Sequence, residues 1–243
     1  MKAINGFLVT LIFASIIGCN DRPQEVDTTS LFTNDSSLIC YFPFDKNINN
    51  LSKYLLGVIP SNITFVNDRN GNSFNAAYFN GTSHITVMND SVLQLTNEFT
   101  ISVWLKPDTG YGLPSTVGYV YFVGRWKNTG LKASTWNLSY NVQTNSVMGS
   151  THDGNVNSLC PSSNTLPENH WTHIAFIFQS GKAYIYINGE LSNSVPAVTP
   201  QYSDYNLEIG WQNDNRCLYI GGMDELMIFN RALTESEILQ LSK

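Results

Sequence analysis

From residue 38 onward the chain alternates short apolar-rich runs with turn residues. The runs cover 38–44, 74–79, 83–88, 99–106, 118–126, 134–141, 146–151, 171–179, 182–187, 205–211 and 223–229. They concentrate Val, Ile, Thr, Tyr, Phe and Trp, which suit a pleated, half-buried surface. The clearest is Phe99–Lys106. Phe99, Ile101, Val103 and Leu105 alternate with Thr100, Ser102, Trp104 and Lys106. A side-chain period of two gives this strand one core face and one outer face. Ser180-Gly181 and Asn188-Gly189 punctuate 171–191. Asn-Gly is the strongest short hairpin signal, because a type I′ turn needs φ > 0 at both central residues. The segment therefore predicts three antiparallel strands in a meander.

One segment reads as helix. Thr234-Glu235-Ser236-Glu237 is a capping box, in which the Thr234 hydroxyl accepts from the Glu237 amide while Glu237 reaches back. Leu233 and Ile238 stand at the staple positions, and the helix runs to about Leu241. There is no repeat of 20–50 residues and no second domain. Many short antiparallel strands with one terminal helix predict an all-β, two-sheet antiparallel sandwich over 38–243.

The first 37 residues have a different pattern. Lys2 precedes an apolar stretch, Phe7–Ile17, too short to span a membrane but suited to a signal-peptide core. It ends in Ser15-Ile16-Ile17-Gly18-Cys19, which resembles the lipobox of bacterial lipoproteins. The expectation is a signal peptide at 1–18, lipidation of Cys19, and a flexible lipidated tether at 19–37. That places the protein at the bacterial cell envelope, facing the periplasm or the exterior and touching the membrane through its anchor only. No other apolar run reaches the length of a transmembrane helix.

Composition narrows the partners. The chain carries 13 Lys+Arg against 19 Asp+Glu, and charged residues make up 13%. That is about half the usual ~25%. So few basic residues exclude a nucleic-acid binder, which needs clustered Lys and Arg on phosphates. Aromatics at 12% exclude bulk disorder. With Cys19 acylated, Cys40, Cys160 and Cys217 remain in an oxidising compartment. Three single bridges are open to sequence. Cys40 sits in an apolar run, whereas Cys160 and Cys217 lie in Asn- and Ser-rich surroundings, which favours a Cys160–Cys217 disulfide. No CxxC or Cys/His spacing suggests zinc.

Five stretches, in order, resemble the LamG-like jelly-roll family. They are Ala77–Val87, Phe99–Pro107, Trp171–Phe178, Ala183–Glu190 and Gly222–Ile238. This branch of the concanavalin A-like lectin/glucanase superfamily includes laminin G domains and pentraxins. The resemblance covers about 38–242. It implies a jelly-roll sandwich in which strand 223–229 lies beside 38–44, and it makes Trp104 and Trp171 framework residues. It does not choose a function, because the fold hosts lectins, adhesins, hydrolases and structural modules. Relatives that hold a structural Ca²⁺ use an Asp and backbone carbonyls. By position that implies Asp224, with Asp45, Asn80 and the Gly81 carbonyl as companions.

The Glu-x-Asp-x-x-Glu motif of the related glucanases, which sets acid and nucleophile on one face, does not occur here. Asp224 and Glu225 are adjacent, so on a regular strand they face opposite ways. His170 and His173 do likewise, and His84 and His152 stand alone. The expectation is therefore a non-enzyme. Aromatics at Trp126, Trp136, Tyr140, Tyr205 and Trp211 are candidates for stacking on sugar rings. Asn213 and Asp214, directly after Trp211, supply hydrogen-bonding groups. The sequence reading is a lipid-anchored binding module that captures a glycan or a cell-surface protein. The alternatives are an envelope protein–protein interaction module and a divergent polysaccharide-cleaving enzyme.

Overall fold

The computed structural model describes residues 32–110, 118–126, 134–211 and 218–243. They form two antiparallel sheets packed face to face. One sheet has the order β13 (Glu190–Pro196), β12 (Lys182–Ile187), β11 (Thr172–Gln179), β6 (Phe99–Pro107), β15 (Ile220–Phe229), β4 (Ala76–Asn80) and β3 (Thr64–Val66). β1 (Leu38–Phe42) also pairs with β15, so this sheet has eight strands. The seven-stranded sheet runs β10 (Asn157–Pro161), β9 (Ser146–His152), β8 (Ser134–Asn141), β7 (Tyr119–Trp126), β14 (Leu207–Ile209), β5 (His84–Val87) and β2 (Val58–Ser61). This is the expected jelly-roll sandwich. The short strands β2, β3 and β10 join those that the pattern had marked, and β13 is the third strand of the expected meander.

The core follows from the pleat. Phe99, Ile101, Val103 and Leu105 of β6 are all buried between the sheets. They meet Ile174 and Phe176 of β11, Phe122 of β7 and Leu138 of β8. Ser180-Gly181 and Asn188-Gly189 have φ values of 49°, 76°, 51° and 83°, the left-handed pairs that close the meander. A second apolar layer covers the outer side of the eight-stranded sheet. There α1 (Glu235–Leu241) brings Ile238 and Leu241 onto Leu38, Ala175, Ile177 and Phe229. Both halves of the capping box are present in α1, with Thr234 accepting from the Glu237 amide.

Packing begins before residue 38. Phe32 is 3% exposed, its ring edge-on to Phe229 at 5.9 Å, and Asp35 binds the Arg231 guanidinium at 2.6 Å. Residues 32–37, expected as tether, thus lie against the sandwich. The expected signal peptide and Cys19 lie outside the described residues. Among the described residues, no helix is long and apolar enough to cross a membrane.

β15 carries the main irregularity. Its first half, Ile220–Met223, pairs with β4, and its second half, Leu226–Phe229, pairs with β1. The register against β6 shifts between Asp224 and Met227, and Glu225 takes a left-handed φ of 50°. That bulge lets one strand serve two partners in succession.

Candidate functional site

The outer face of the seven-stranded sheet is built by the same alternation that fills the core. Register fixes which side chains share it. Asn137 of β8 stands opposite Gly124 of β7 and Ser150 of β9, and Ser150 opposite Leu159 of β10. In the next row Tyr121, Ser139 and Met148 are paired. β7 adds an aromatic wall. The Tyr119 and Tyr121 rings lie 6.5 Å apart, and Tyr121 meets Trp126 edge-on at 5.7 Å. Tyr119, Tyr121, Trp126, Asn137, Ser139, Met148, Ser150, Asn157 and Leu159 enclose a cavity of ≈ 90 Å³. Its floor is polar and deep, since Asn137, Ser139 and Ser150 are buried. The Trp126 indole N–H is buried without a hydrogen-bond partner.

The row continues past Gly124 to Glu208 of β14 and Thr86 of β5. Glu208 Oε2 accepts from Thr86 Oγ1 at 2.7 Å and from Trp211 Nε1 at 3.0 Å. The Trp211 ring stacks on His84 at 3.8 Å and 20°. At the other side of the face His152 is buried, and its Nδ1 accepts the Gly154 amide at 2.9 Å. That bond places the imidazole proton on Nε2, which has no partner. Burial pushes the His152 pKa down, so the ring stays neutral.

A buried cation holds the end of this face. Arg125 donates to the carbonyls of Leu93 (2.6 Å), Ser203 (2.9 Å) and Tyr205 (2.6 Å) and to Asn89 Oδ1 (2.6 Å). Carbonyl dipoles replace a carboxylate partner, and burial draws its pKa down to about 10. Arg125 thus ties residues 89–93 and 203–205 to β7. Nothing in the local sequence marks it, because its partners come from two distant loops.

The predicted aromatic candidates separate. Trp126 lines the cavity, and Trp211, just after β14, is half-buried over His84. Trp136 is not on this face: it is 1% exposed and packs in the core against Phe99 at 5.8 Å. Its register partners, Arg125 and Thr151, belong to the inward set, one residue out of step with Asn137. Tyr140 is also buried in the core cluster. Asn213 and Asp214 lie outside the described residues. In place of the expected Cys160–Cys217 bridge, Cys160 is a free, buried thiol. Its Sγ is 3.6 Å from the Ala183 carbonyl of the opposite sheet, because β10 turns this residue inward. Cys217 lies outside the described residues, and Cys40 is a second buried thiol whose pKa burial pushes up.

The carboxylates of β15 also correct an expectation. Asp224 and Glu225 do not face opposite ways, because the bulge brings both toward the outer side of the eight-stranded sheet. Asp224 accepts from Arg69 at 3.1 Å, and Tyr41, whose ring sits in the outer apolar layer, donates to Glu225 at 2.9 Å. Burial first, and then the neighbouring Glu225 charge, raise the Asp224 pKa to about 8 despite Arg69. Asp224 is only 2% exposed.

Of the four calcium candidates, Asp224 and Asp45 share the neighbours Arg69 and Asp68, while Asn80 and Gly81 stand apart. The Asp224 carboxylate is occupied by a guanidinium. Asn80 is spent on its own turn, accepting from Thr82 N, Ser83 N and Ser83 Oγ. Asn80 pairs with Ile220, four residues along β15 from Asp224, so Asn80 and Gly81 belong to the other end of that segment. Asp45 lies among Asp68, Lys46 and Arg69. Among the described residues no three His, Cys, Asp or Glu side chains are grouped to hold a metal. The donor set on hand does not fit Ca²⁺.

Residues 79–239 match the model of the concanavalin A-like lectin/glucanases superfamily. The chain belongs to this superfamily. Within it, 78 residues are 41% identical to the human adhesion G-protein coupled receptor D1, covering 30% of this chain. The chain spans about 9% of that receptor's length. The binding domain of Paraclostridial mosquitocidal protein 1 superposes with a TM-score of 0.68 at 20% identity, over 85% of this chain and 52% of that one. Domain 4 of AbnA, a GH43 extracellular arabinanase from Geobacillus stearothermophilus solved with arabinotriose, gives 0.63 at 21%, over 85% of this chain and 98% of that one. At these identities the likeness is one of fold.

Proposed function

We propose that this chain is a non-catalytic binding module that holds a glycan on the outer face of its seven-stranded sheet. The observation that carries the reading is the aromatic wall of Tyr119, Tyr121 and Trp126 beside a buried floor of Asn137, Ser139 and Ser150. Flat rings and neutral hydrogen-bonding groups are what a sugar presents to and needs from a protein. The arabinotriose complex of the AbnA domain supports a sugar for a sandwich of this shape. We further propose anchoring at the bacterial envelope through acylated Cys19, on the strength of the Ile17-Gly18-Cys19 sequence. A glycan array with the full chain tests the binding. Sugar binding that drops at least tenfold in Trp126→Ala is the expected outcome. Binding unaffected by Trp126→Ala and Tyr121→Ala sinks the groove.

A protein partner is the second reading, and one observation favours it. Leu51, Leu55, Ile59 and Met88 are exposed around the β2 edge. Pull-down with a Leu55→Asp, Ile59→Asp variant against the native chain separates it from the sugar reading. A polysaccharide-cleaving activity is the third, and turnover abolished by Asp224→Asn or Glu225→Gln would establish it.

A further inference from the structure

Three Asn-Gly steps fall among the described residues: Asn70-Gly71, Asn80-Gly81 and Asn188-Gly189. Asn5-Gly6 lies outside them. Such a step carries its own reagents. The glycine has no Cβ to shield its backbone nitrogen, and that nitrogen can reach the carboxamide carbon of the asparagine before it. In the folded chain the outcome depends on what holds the two groups.

At two of the steps both are held. Asn80 Oδ1 accepts from the amides of Thr82 (2.9 Å) and Ser83 (3.1 Å) and from both their hydroxyls. Gly81 is buried, and its N–H donates to the Tyr219 carbonyl at 3.1 Å. Asn188 Oδ1 accepts the His173 amide at 2.9 Å, and Gly189 lies against Leu239 of α1 and Ser242. A carboxamide fixed at its oxygen cannot turn its carbon toward the next nitrogen without giving up those bonds. Asn70 is different. Residues 70–74 are exposed in succession. Among the described residues the Asn70 carboxamide has no hydrogen-bond partner; only its backbone amide is engaged, by Asp68. Gly71, at a φ of 83°, has nothing beyond its chain neighbours within 4 Å of where a Cβ would stand. Its N–H makes a single turn bond, to the Asp68 carbonyl at 3.2 Å.

We propose that Asn70 is a site of spontaneous deamidation, and that the change unfastens Arg69 from Asp224. The Gly71 nitrogen gives its proton to water and attacks Asn70 Cγ. The Cγ–Nδ2 bond breaks, and the nitrogen regains a proton and leaves as ammonia. Water then opens the five-membered succinimide at one of its two carbonyls. One opening gives aspartate. The other gives isoaspartate, in which the main chain runs through Cγ and is one atom longer. Either product disturbs this turn. Asp68 shapes it by accepting from the Asn70 and Asn72 amides at 2.9 and 2.8 Å. Arg69 lies between Asp68 and Asn70, with its guanidinium on Asp224 at 3.1 Å and over the Trp104 ring at 4.8 Å. A longer backbone moves the amides off Asp68, and a carboxylate at position 70 offers Arg69 a partner on the solvent side. Asp224, 2% exposed, then loses a donor that nothing from the solvent replaces easily.

Peptide mass mapping of the full chain, aged in warm and mildly alkaline buffer, tests the site. Asn70 is expected to deamidate at least tenfold faster than Asn80 or Asn188. Ageing in guanidinium should bring the three rates within a few-fold of one another, because the contacts that separate them are then gone. A native rate at Asn80 or Asn188 equal to that at Asn70 overturns the assignment, and so does an Asn70 that stays intact. Methyl labelling by an isoaspartyl methyltransferase should mark the peptide that holds Asn70. The aged native chain should melt several degrees lower than the fresh one. Asn70→Gln, whose longer side chain closes the ring far more slowly, should keep its thermal midpoint through the same treatment. A chain modified at Asn70 with an unmoved midpoint overturns the loosening of Arg69, as does an equal fall in Asn70→Gln.

Discussion

Arg125 is the residue on which the end of the binding face hangs. Its guanidinium donates to three backbone carbonyls from two distant loops. Arg125→Met keeps the stem and removes the hydrogen bonds that tie both loops to β7. It should cost about 3 kcal/mol, in the range for breaking a buried polar network. Urea unfolding is expected to show this as a lower midpoint with an unchanged slope. A shift under about 0.5 kcal/mol would mean that water replaces the side chain without loss. His173 gives a second residue-scale test. It is fully buried and shares a 2.8 Å hydrogen bond with Ser102, and burial draws its pKa from 6.5 to about 3. The unfolded chain takes up a proton below about 6.5 that the folded chain refuses until about 3. Stability from this group is thus complete above about 6.5 and is lost as the pH falls through that window. His173→Gln should flatten the decline of unfolding free energy between about pH 6.5 and 4. An unchanged slope would assign the acid sensitivity elsewhere.

At the scale of elements, the turns and caps were legible and the bulges were not. The β6 alternation, the two left-handed hairpin pairs and the α1 capping box each follow from a few adjacent residues. Thr234→Ala removes an acceptor that the helix amide uses, and about 1 kcal/mol is the expected cost by thermal melting. Gly189→Ala is costlier at a φ of 83°, where an added Cβ would sit 2.5 Å from Ser242 Oγ and 2.9 Å from Leu239 Cδ1. About 1–2 kcal/mol is expected there, together with some loosening of α1. The face that a side chain takes depends on register, and one extra residue reverses it. β7 shifts register at Tyr121/Val123 and again at Arg125/Trp126, and Trp126 lines the outer cavity while Trp136, the ladder partner of Arg125, is in the core. The same device on β15 sets Asp224 and Glu225 on one side. A bulge leaves no signal in composition or periodicity, so tryptophans of similar sequence surroundings could not be sorted before the strands were paired.

For the whole molecule, the two-sheet sandwich and the pairing of 223–229 with 38–44 were foreseen from motif sequence, and the rest of the strand order was not. The groove was foreseen only as a class of surface, because its lining comes from β7, β8, β9 and β10 together. Arg69 stands beside Asp224, the residue first expected to hold a cation. Adding a chelator to the native chain should leave its thermal midpoint unmoved. A fall of several degrees would reinstate a metal. If Cys19 carries the proposed anchor, Cys19→Ala should move the protein from the membrane to the soluble fraction, and continued membrane retention would refute it.

β15 has a consequence for how the chain matures. β1, buried at every position, has its ladder partner nearly two hundred residues downstream in Leu226–Phe229. Until the last strand is available, Leu38–Phe42 is an apolar ribbon with no mate, and the eight-stranded sheet cannot close. Closure of that sheet is therefore expected late in folding, and a chain truncated before Leu226 should expose Leu38–Phe42 to proteolysis. The join between the two ends of the chain is thus the step on which the whole sheet waits.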